Sequence, residues 1–254
     1  MVDEGRVEDQ AGLARGSAGG MSLDPKAQAL LRVGEMAAAQ PQGLDRQGVC
    51  SLEVRWILPG RLAAAMTEWF GRFPAETKVL EDAYLLDPHL PGLSVKVRER
   101  RALEVKQYRG SPGLLEVAGR ARGRLESWRK WAFPHDPPVP DGGDSAGWRP
   151  VSKRRRISWL LQATGVGVLG LGEEPGCAVE LTEIHVRGEA WWTLGFEATG
   201  PAAALGGELD AAAALVFAQA LPDGVELGMD DSKSYAQWLR RRPGANDTGA
   251  FSRT

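Results

Sequence analysis

Pairs of ionisable side chains two positions apart recur along this chain, on segments that alternate polar with apolar residues. Glu53 and Arg55, Lys96 and Arg98, Glu104 and Lys106, Arg124 and Glu126, and Lys153 and Arg155 each share one face, and Glu180 and Glu197 stand on the polar faces of two later segments. The polar face of a solvated strand usually mixes Thr, Ser, Gln and Asn with its charges. These faces are richer in Arg, Lys and Glu, while Trp, Val and Leu fill the other side. Two readings follow. Either the faces are solvated in the ordinary way, or the sheet closes on itself with the charges inward and encloses a basic cavity set with carboxylates. In the second case guanidinium forks and lysine ammoniums suit phosphate oxygens. Carboxylates among them imply a divalent cation such as Mg²⁺ or Mn²⁺ that shields the anion and the charge growing on its leaving oxygen.

Strands must carry these residues. In 50–58 the alternation is strict: Leu52, Val54, Trp56 and Leu58 face one way, Ser51, Glu53 and Arg55 the other, as in a half-buried strand. Similar patterns predict strands at 82–86, 93–99, 102–109, 123–133, 148–157, 178–186 and 190–199, and Pro-Gly, Gly and Asp clusters punctuate them. Helices are expected at 61–73, where Leu62, Met66, Trp69, Phe70 and Phe73 share a side, and at 205–221 and 232–242. The expected architecture is therefore α+β with a predominantly antiparallel sheet. Residues 1–48 read as an extension holding a short helix at 23–39, 49–242 as the folded domain, 243–254 as a tail, and 134–147 as a loop.

Composition narrows the function classes. The net charge of −2 argues against a general nucleic-acid binder, so any positive charge that matters must be local. No apolar run approaches the roughly 18 residues of a membrane span. Cys50 and Cys177 cannot by themselves build a disulfide scaffold or a zinc site, and with the acidic first residues they fit a cytoplasmic location. The tract Lys153-Arg154-Arg155-Arg156 has the composition of a nucleic-acid patch, but two inward residues of a basic strand account for it better. The glycines of 165–172 lack the Lys-Ser/Thr ending of a phosphate loop and read as a turn.

The order of these segments resembles the CYTH superfamily, the triphosphate tunnel metalloenzymes. The likeness is carried by Glu53-Val54-Arg55, Asp82-Ala83-Tyr84-Leu85-Leu86-Asp87, Ser94-Val95-Lys96-Val97-Arg98, Glu104-Val105-Lys106, Val151-Ser152-Lys153-Arg154-Arg155, Glu180-Leu181-Thr182, Gly195-Phe196-Glu197-Ala198 and Lys233-Ser234-Tyr235-Ala236-Gln237-Trp238-Leu239. The resemblance implies an antiparallel eight-stranded β tunnel with flanking helices, a small-molecule triphosphate or polyphosphate partner, and one or two Mg²⁺ or Mn²⁺ ions. It implies phosphate contacts from Arg55, Lys96, Arg98, Lys106, Arg124, Lys153 and Arg155, with Lys233 at the mouth and Tyr235 against the wall. It makes Glu53, Glu126, Glu180 and Glu197 the metal-facing acids, and Glu53 and Glu197 the catalytic pair for hydrolysis of a phosphoanhydride. A cyclase would use the ribose hydroxyl of a nucleotide instead.

The chain departs from that pattern at Ser51, Thr182 and Gly195, where acids are implied, and at Arg55, where a lysine is. Each acidic pair is half empty and the basic set nearly whole. A non-catalytic sensor or scaffold for a polyphosphate or nucleotide is therefore the alternative to the hydrolase.

Overall fold

The computed structural model describes residues 48–134, 147–161, 165–167 and 176–241. The expected extension before residue 48, the helix at 23–39, the C-terminal tail, the loop over 135–146 and residues 168–172 of the glycine run lie outside the described residues.

Among the described residues nine strands and three helices follow in the order β1 (Val49–Pro59), α1 (Ala64–Phe70), β2 (Glu76–Leu85), β3 (Leu93–Arg98), β4 (Ala102–Val117), β5 (Ala121–Pro134), β6 (Trp148–Leu161), β7 (Gly165–Gly167), β8 (Gly176–Val186), β9 (Glu189–Thr199), α2 (Leu205–Val216) and α3 (Tyr235–Arg240). Hydrogen-bonded neighbours run β2-β3-β4-β5-β1-β9-β8-β6, and β6 pairs back onto β2 from Glu76↔Ile157 to Leu85↔Trp148. The result is a closed eight-stranded antiparallel barrel in which each of these strands has a partner on both sides. The short β7 extends the sheet from the far end of β6, at Trp159↔Gly167, where the glycine spacing suggests a turn. At the β8–β9 connection Arg187 and Gly188 both take positive φ, 52° and 77°, as a two-residue hairpin requires.

The barrel turns its apolar faces outward. Leu52, Val54 and Trp56 of β1, Val179 and Leu181 of β8, and Leu194, Phe196 and Ala198 of β9 form one buried cluster with Met66 and Phe70 of α1 and Leu209 and Val216 of α2. Covering such a face gains roughly 1.5–3 kcal/mol for each fully buried large apolar side chain. The two helices lie over that face, so the alternating polar residues point into the lumen.

One end of the lumen is filled. Ile57, Val151 and Ile184 continue the inward rows past Arg55, Lys153 and Thr182, and Trp238 and Leu239 of α3 join them in a second apolar cluster with Tyr84 and Val186. Ser234 caps α3 by accepting a hydrogen bond from the Gln237 amide (3.3 Å), and Arg240 donates to the carbonyls of Leu90, Pro91 and Leu93, tying the helix to the β2–β3 connection.

Candidate functional site

The lumen is a cavity of about 460 Å³ lined by residues of all eight barrel strands and of α3. Of the residues singled out in the sequence, Glu53, Arg55, Lys96, Arg98, Lys106, Glu126, Lys153, Arg155, Glu180 and Glu197 line it together. Arg124 and Lys233 do not. Arg124 shares the face of Glu126, but it lies where the β4–β5 hairpin runs past register shifts at Gly110 and Gly113, and its side chain is exposed. The Lys233 ammonium turns to the Asp230 carbonyl (2.7 Å). The neighbouring Tyr235 lines the lumen instead, under the Arg55 guanidinium (4.7 Å to the ring centroid) and the Lys153 ammonium (4.0 Å).

Sequence reasoning assigned no role to Asp82, Tyr84 or Lys130, all of which line the cavity. Asp82 is the centre of the β2–β3–β6 wall. The Lys153 Nζ donates to it (2.7 Å) and to the Tyr84 hydroxyl (2.7 Å), while Lys96 and Arg98 stand 3.5 Å away. Burial acts to raise the Asp82 carboxyl, but these three cations hold it below the usual carboxylate range. Glu104 is gripped by Arg98 (2.9 Å) and Lys96 (3.1 Å). Burial pushes the Lys96 amine down to about 8, against the pull of Asp82 and Glu104. The signal for Asp82 lay in its register: its parity on β2 follows from the pairing with Arg98.

Across the lumen, Glu126, Glu53 and Glu197 are register partners on β5, β1 and β9 and make a row of three carboxylates. The Lys106 ammonium lies between two of them, 2.6 Å from Glu53 and 3.0 Å from Glu197. Ser51, one of the positions where an acid is implied, donates to Glu53 (2.8 Å). Glu126 accepts from the Trp128 indole (3.2 Å), and burial together with the Glu53 charge pushes its carboxyl up to about 7. Glu180 has one oxygen on Arg55 (2.9 Å) and the other on Arg155 (3.1 Å); burial acts to raise it, but the two guanidiniums hold it well below the usual range.

The cavity is charge-paired rather than simply basic, which corrects the expectation drawn from the strand faces. Arg55, Lys96, Arg98, Lys153 and Arg155 stand with Asp82, Glu104 and Glu180, and Lys130 lies 3.8 Å from Glu104; Lys106 stands with Glu53 and Glu197, beside Glu126; Lys78 pairs with Glu76 (3.0 Å). Positive charge is in surplus on the first side and negative charge on the second. The tract 153–156 splits accordingly: Lys153 and Arg155 point inward, Arg156 pairs with Glu183 (3.2 Å), and Arg154 is exposed.

The acids do not fit a divalent cation as they stand. The place where a cation would bridge Glu53 and Glu197 holds the Lys106 ammonium, and both oxygens of Glu180 are taken by guanidiniums. Among the described residues no three His, Cys, Asp or Glu side chains converge as a ligand set.

Neither a protein-family model nor a curated protein matches the chain. Among solved structures it is similar to the RNA triphosphatase domain of a trifunctional mimivirus mRNA capping enzyme, at 13% identity over 74% of this chain and 94% of that one, with a TM-score of 0.39. It is similar to an S. pombe RNA triphosphatase at 10% identity over 77% and 88%, with a TM-score of 0.38. A third likeness is to a putative adenylyl cyclase from Hippeastrum, described as having a dominant triphosphatase activity, at 8% identity over 70% and 92%, with a TM-score of 0.35. The strand pairing by itself makes this chain a closed eight-stranded antiparallel tunnel with flanking helices, the fold that the CYTH resemblance implies. No helix among the described residues is long and apolar enough to cross a membrane.

Proposed function

We propose that this protein binds the phosphate chain of a small triphosphate or polyphosphate compound inside its lumen. The observation that supports this reading is the convergence of Arg55, Lys96, Arg98, Lys153 and Arg155 in the lumen of a closed barrel, a cavity of about 460 Å³. Fork-shaped guanidiniums and lysine point charges inside a low-dielectric wall are the groups that hold phosphate oxygens. An exposed strand face would leave such residues solvated and screened; here they are enclosed. Long nucleic acid does not suit a lumen filled at one end, and Arg154 is the one residue of the basic tract that is exposed.

Two activities are compatible with such binding. The resemblance implies hydrolysis with Mg²⁺ or Mn²⁺, with Glu53 and Glu197 acting on the attacking water. That reading requires Lys106 to leave both carboxylates. The second reading, a sensor or scaffold that binds without turnover, is favoured by the Lys106 ammonium between those two acids and by the paired oxygens of Glu180. Equilibrium dialysis against tripolyphosphate, with orthophosphate release followed in Mg²⁺ and in Mn²⁺, tests the proposal. Retention without release is expected. Metal-dependent release that disappears in Glu53→Gln would replace the sensor by the hydrolase, and absence of retention would remove the phosphate chain altogether.

A further inference from the structure

Two positions where the resemblance implies acids, Thr182 and Gly195, lie side by side with the guanidinium pair at Glu180. Thr182 pairs in register with Arg155 on β6 and with Thr193 on β9, and Gly195 pairs with both Arg55 and Glu180. A Cβ at Gly195 would lie 2.7 Å from the Arg55 Cζ and 2.8 and 2.9 Å from its two terminal nitrogens, so the guanidinium occupies the space of the missing side chain. From there Arg55 donates to Glu180 (2.9 Å) and Thr193 (3.1 Å) and rests on the Tyr235 ring.

Two donors in this corner are left over. The Arg155 Nε and the Thr182 hydroxyl are both buried, on register-paired residues that line the cavity, and neither has a hydrogen-bond partner among the described residues. A buried donor without a partner carries a desolvation cost that an acceptor brought by a ligand removes. Glu180, the carboxylate between the two guanidiniums, has no oxygen to spare for a cation. The two unpartnered groups of the corner, the Arg155 Nε–H and the Thr182 hydroxyl, can both donate.

We infer that Arg155, Thr182 and Arg55 form an oxyanion subsite that takes the terminal phosphoryl group of the bound chain directly, without a bridging divalent cation. The inference rests on the phosphate-chain reading above and adds where the terminal group sits and what holds it. The loss of acids at Thr182 and Gly195 is then the exchange of a cation-facing corner for an anion-facing one. Arg155 and Arg55 supply charge, the Arg155 Nε–H and the Thr182 O–H supply two directed hydrogen bonds, and Gly195 is a positioning residue that leaves room for Arg55.

Calorimetric titration with tripolyphosphate, in EDTA and again in Mn²⁺, separates the possibilities. The wild-type protein is expected to bind in EDTA with an affinity within about twofold of that in Mn²⁺. Thr182→Val, which keeps the shape and removes the hydroxyl, is expected to weaken binding about tenfold, as loss of a hydrogen bond to a charged group does. Thr182→Ser, which keeps the hydroxyl, is expected to bind within a fewfold of wild type, and thermal melts of both variants report whether the barrel is intact. Binding that appears only with Mn²⁺, or a folded Thr182→Val that binds like wild type, overturns this subsite while leaving the phosphate-chain reading in place. No binding in either medium overturns both.

Discussion

Arg55 lies flat against the backbone of Gly195, so close that a single added carbon at that glycine would meet the guanidinium carbon at 2.7 Å. This contact links two departures from the tunnel-enzyme pattern that look independent in the sequence, an arginine for a lysine on β1 and a glycine for an acid on β9. Gly195→Ala is expected to push the guanidinium off Glu180 and Thr193 and to cost about 1–3 kcal/mol of stability, the range for overpacking a filled site. In an Arg55→Ala background the same substitution should cost little. A double-mutant cycle read by chemical denaturation measures the coupling, and additive costs would refute the link. Gly195→Glu is expected to lower stability further rather than create a metal site.

Lys153 and Asp82 are both almost wholly buried and 2.7 Å apart. Removing one partner of a buried ion pair leaves an uncompensated charge and typically costs about 3–5 kcal/mol. Lys153→Met should approach the lower figure, since Lys96 and Arg98 still face Asp82. Adding Asp82→Asn should recover part of the loss. Thermal unfolding of the three variants checks this, and a Lys153→Met protein as stable as wild type would contradict it.

Among the lumen groups, Lys96 and Glu126 change charge between pH 6 and 9, and burial lowers the Lys153 amine as well. The Lys96 amine, pushed down to about 8 by burial, gains its proton as the pH falls through that value, and Glu126, pushed up to about 7 by burial and Glu53, loses its negative charge as the pH falls further. Both changes make the lumen more positive. Affinity for tripolyphosphate is therefore expected to rise as the pH is lowered from about 9 to about 6. Glu126→Gln should raise affinity at pH 8 and flatten the lower part of the profile. Titrations at fixed ionic strength across this range check the sign, and an affinity that falls with falling pH would contradict it.

Trp238 of α3 is buried against Trp191, with ring centroids 5.2 Å apart, and fills the end of the barrel with Leu239. Trp238→Ala is expected to cost about 3–5 kcal/mol and to weaken anion binding as well, because Tyr235 on the same helix supports Arg55 and Lys153. Loss of stability with unchanged binding would show that the helix seals the barrel without shaping the site.

Much of this architecture was legible because period-two alternation survives closure of the sheet: all eight barrel strands, with the inward face of Glu53, Arg55, Lys96, Arg98, Lys153 and Arg155, follow from it. The start of β2 did not, since Val79 points outward and is 66% exposed while Lys78 points inward, so the local pattern lacks an apolar face. The half of β4 beyond Arg109 was not legible, because Gly110 and Gly113 interrupt the alternation there and form bulges against β5. The same bulges carry Arg124 away from the lumen. Lys233 turns to the Asp230 carbonyl instead of the lumen, and Tyr235, the first residue of α3 after the Ser234 cap, lines the cavity. Charge pairing was the least legible feature: a carboxylate is an acceptor for a metal or for a lysine alike, and only the position of Lys106 decides between them.

The most direct measurement is a crystal structure of the full-length protein soaked with tripolyphosphate in the presence of EDTA. The phosphate chain is expected inside the lumen, with terminal phosphoryl oxygens about 3 Å from the Arg155 Nε and the Thr182 hydroxyl and Glu180 still held between Arg55 and Arg155. An empty lumen, or a chain bound on the outer surface beside Arg154, would contradict it.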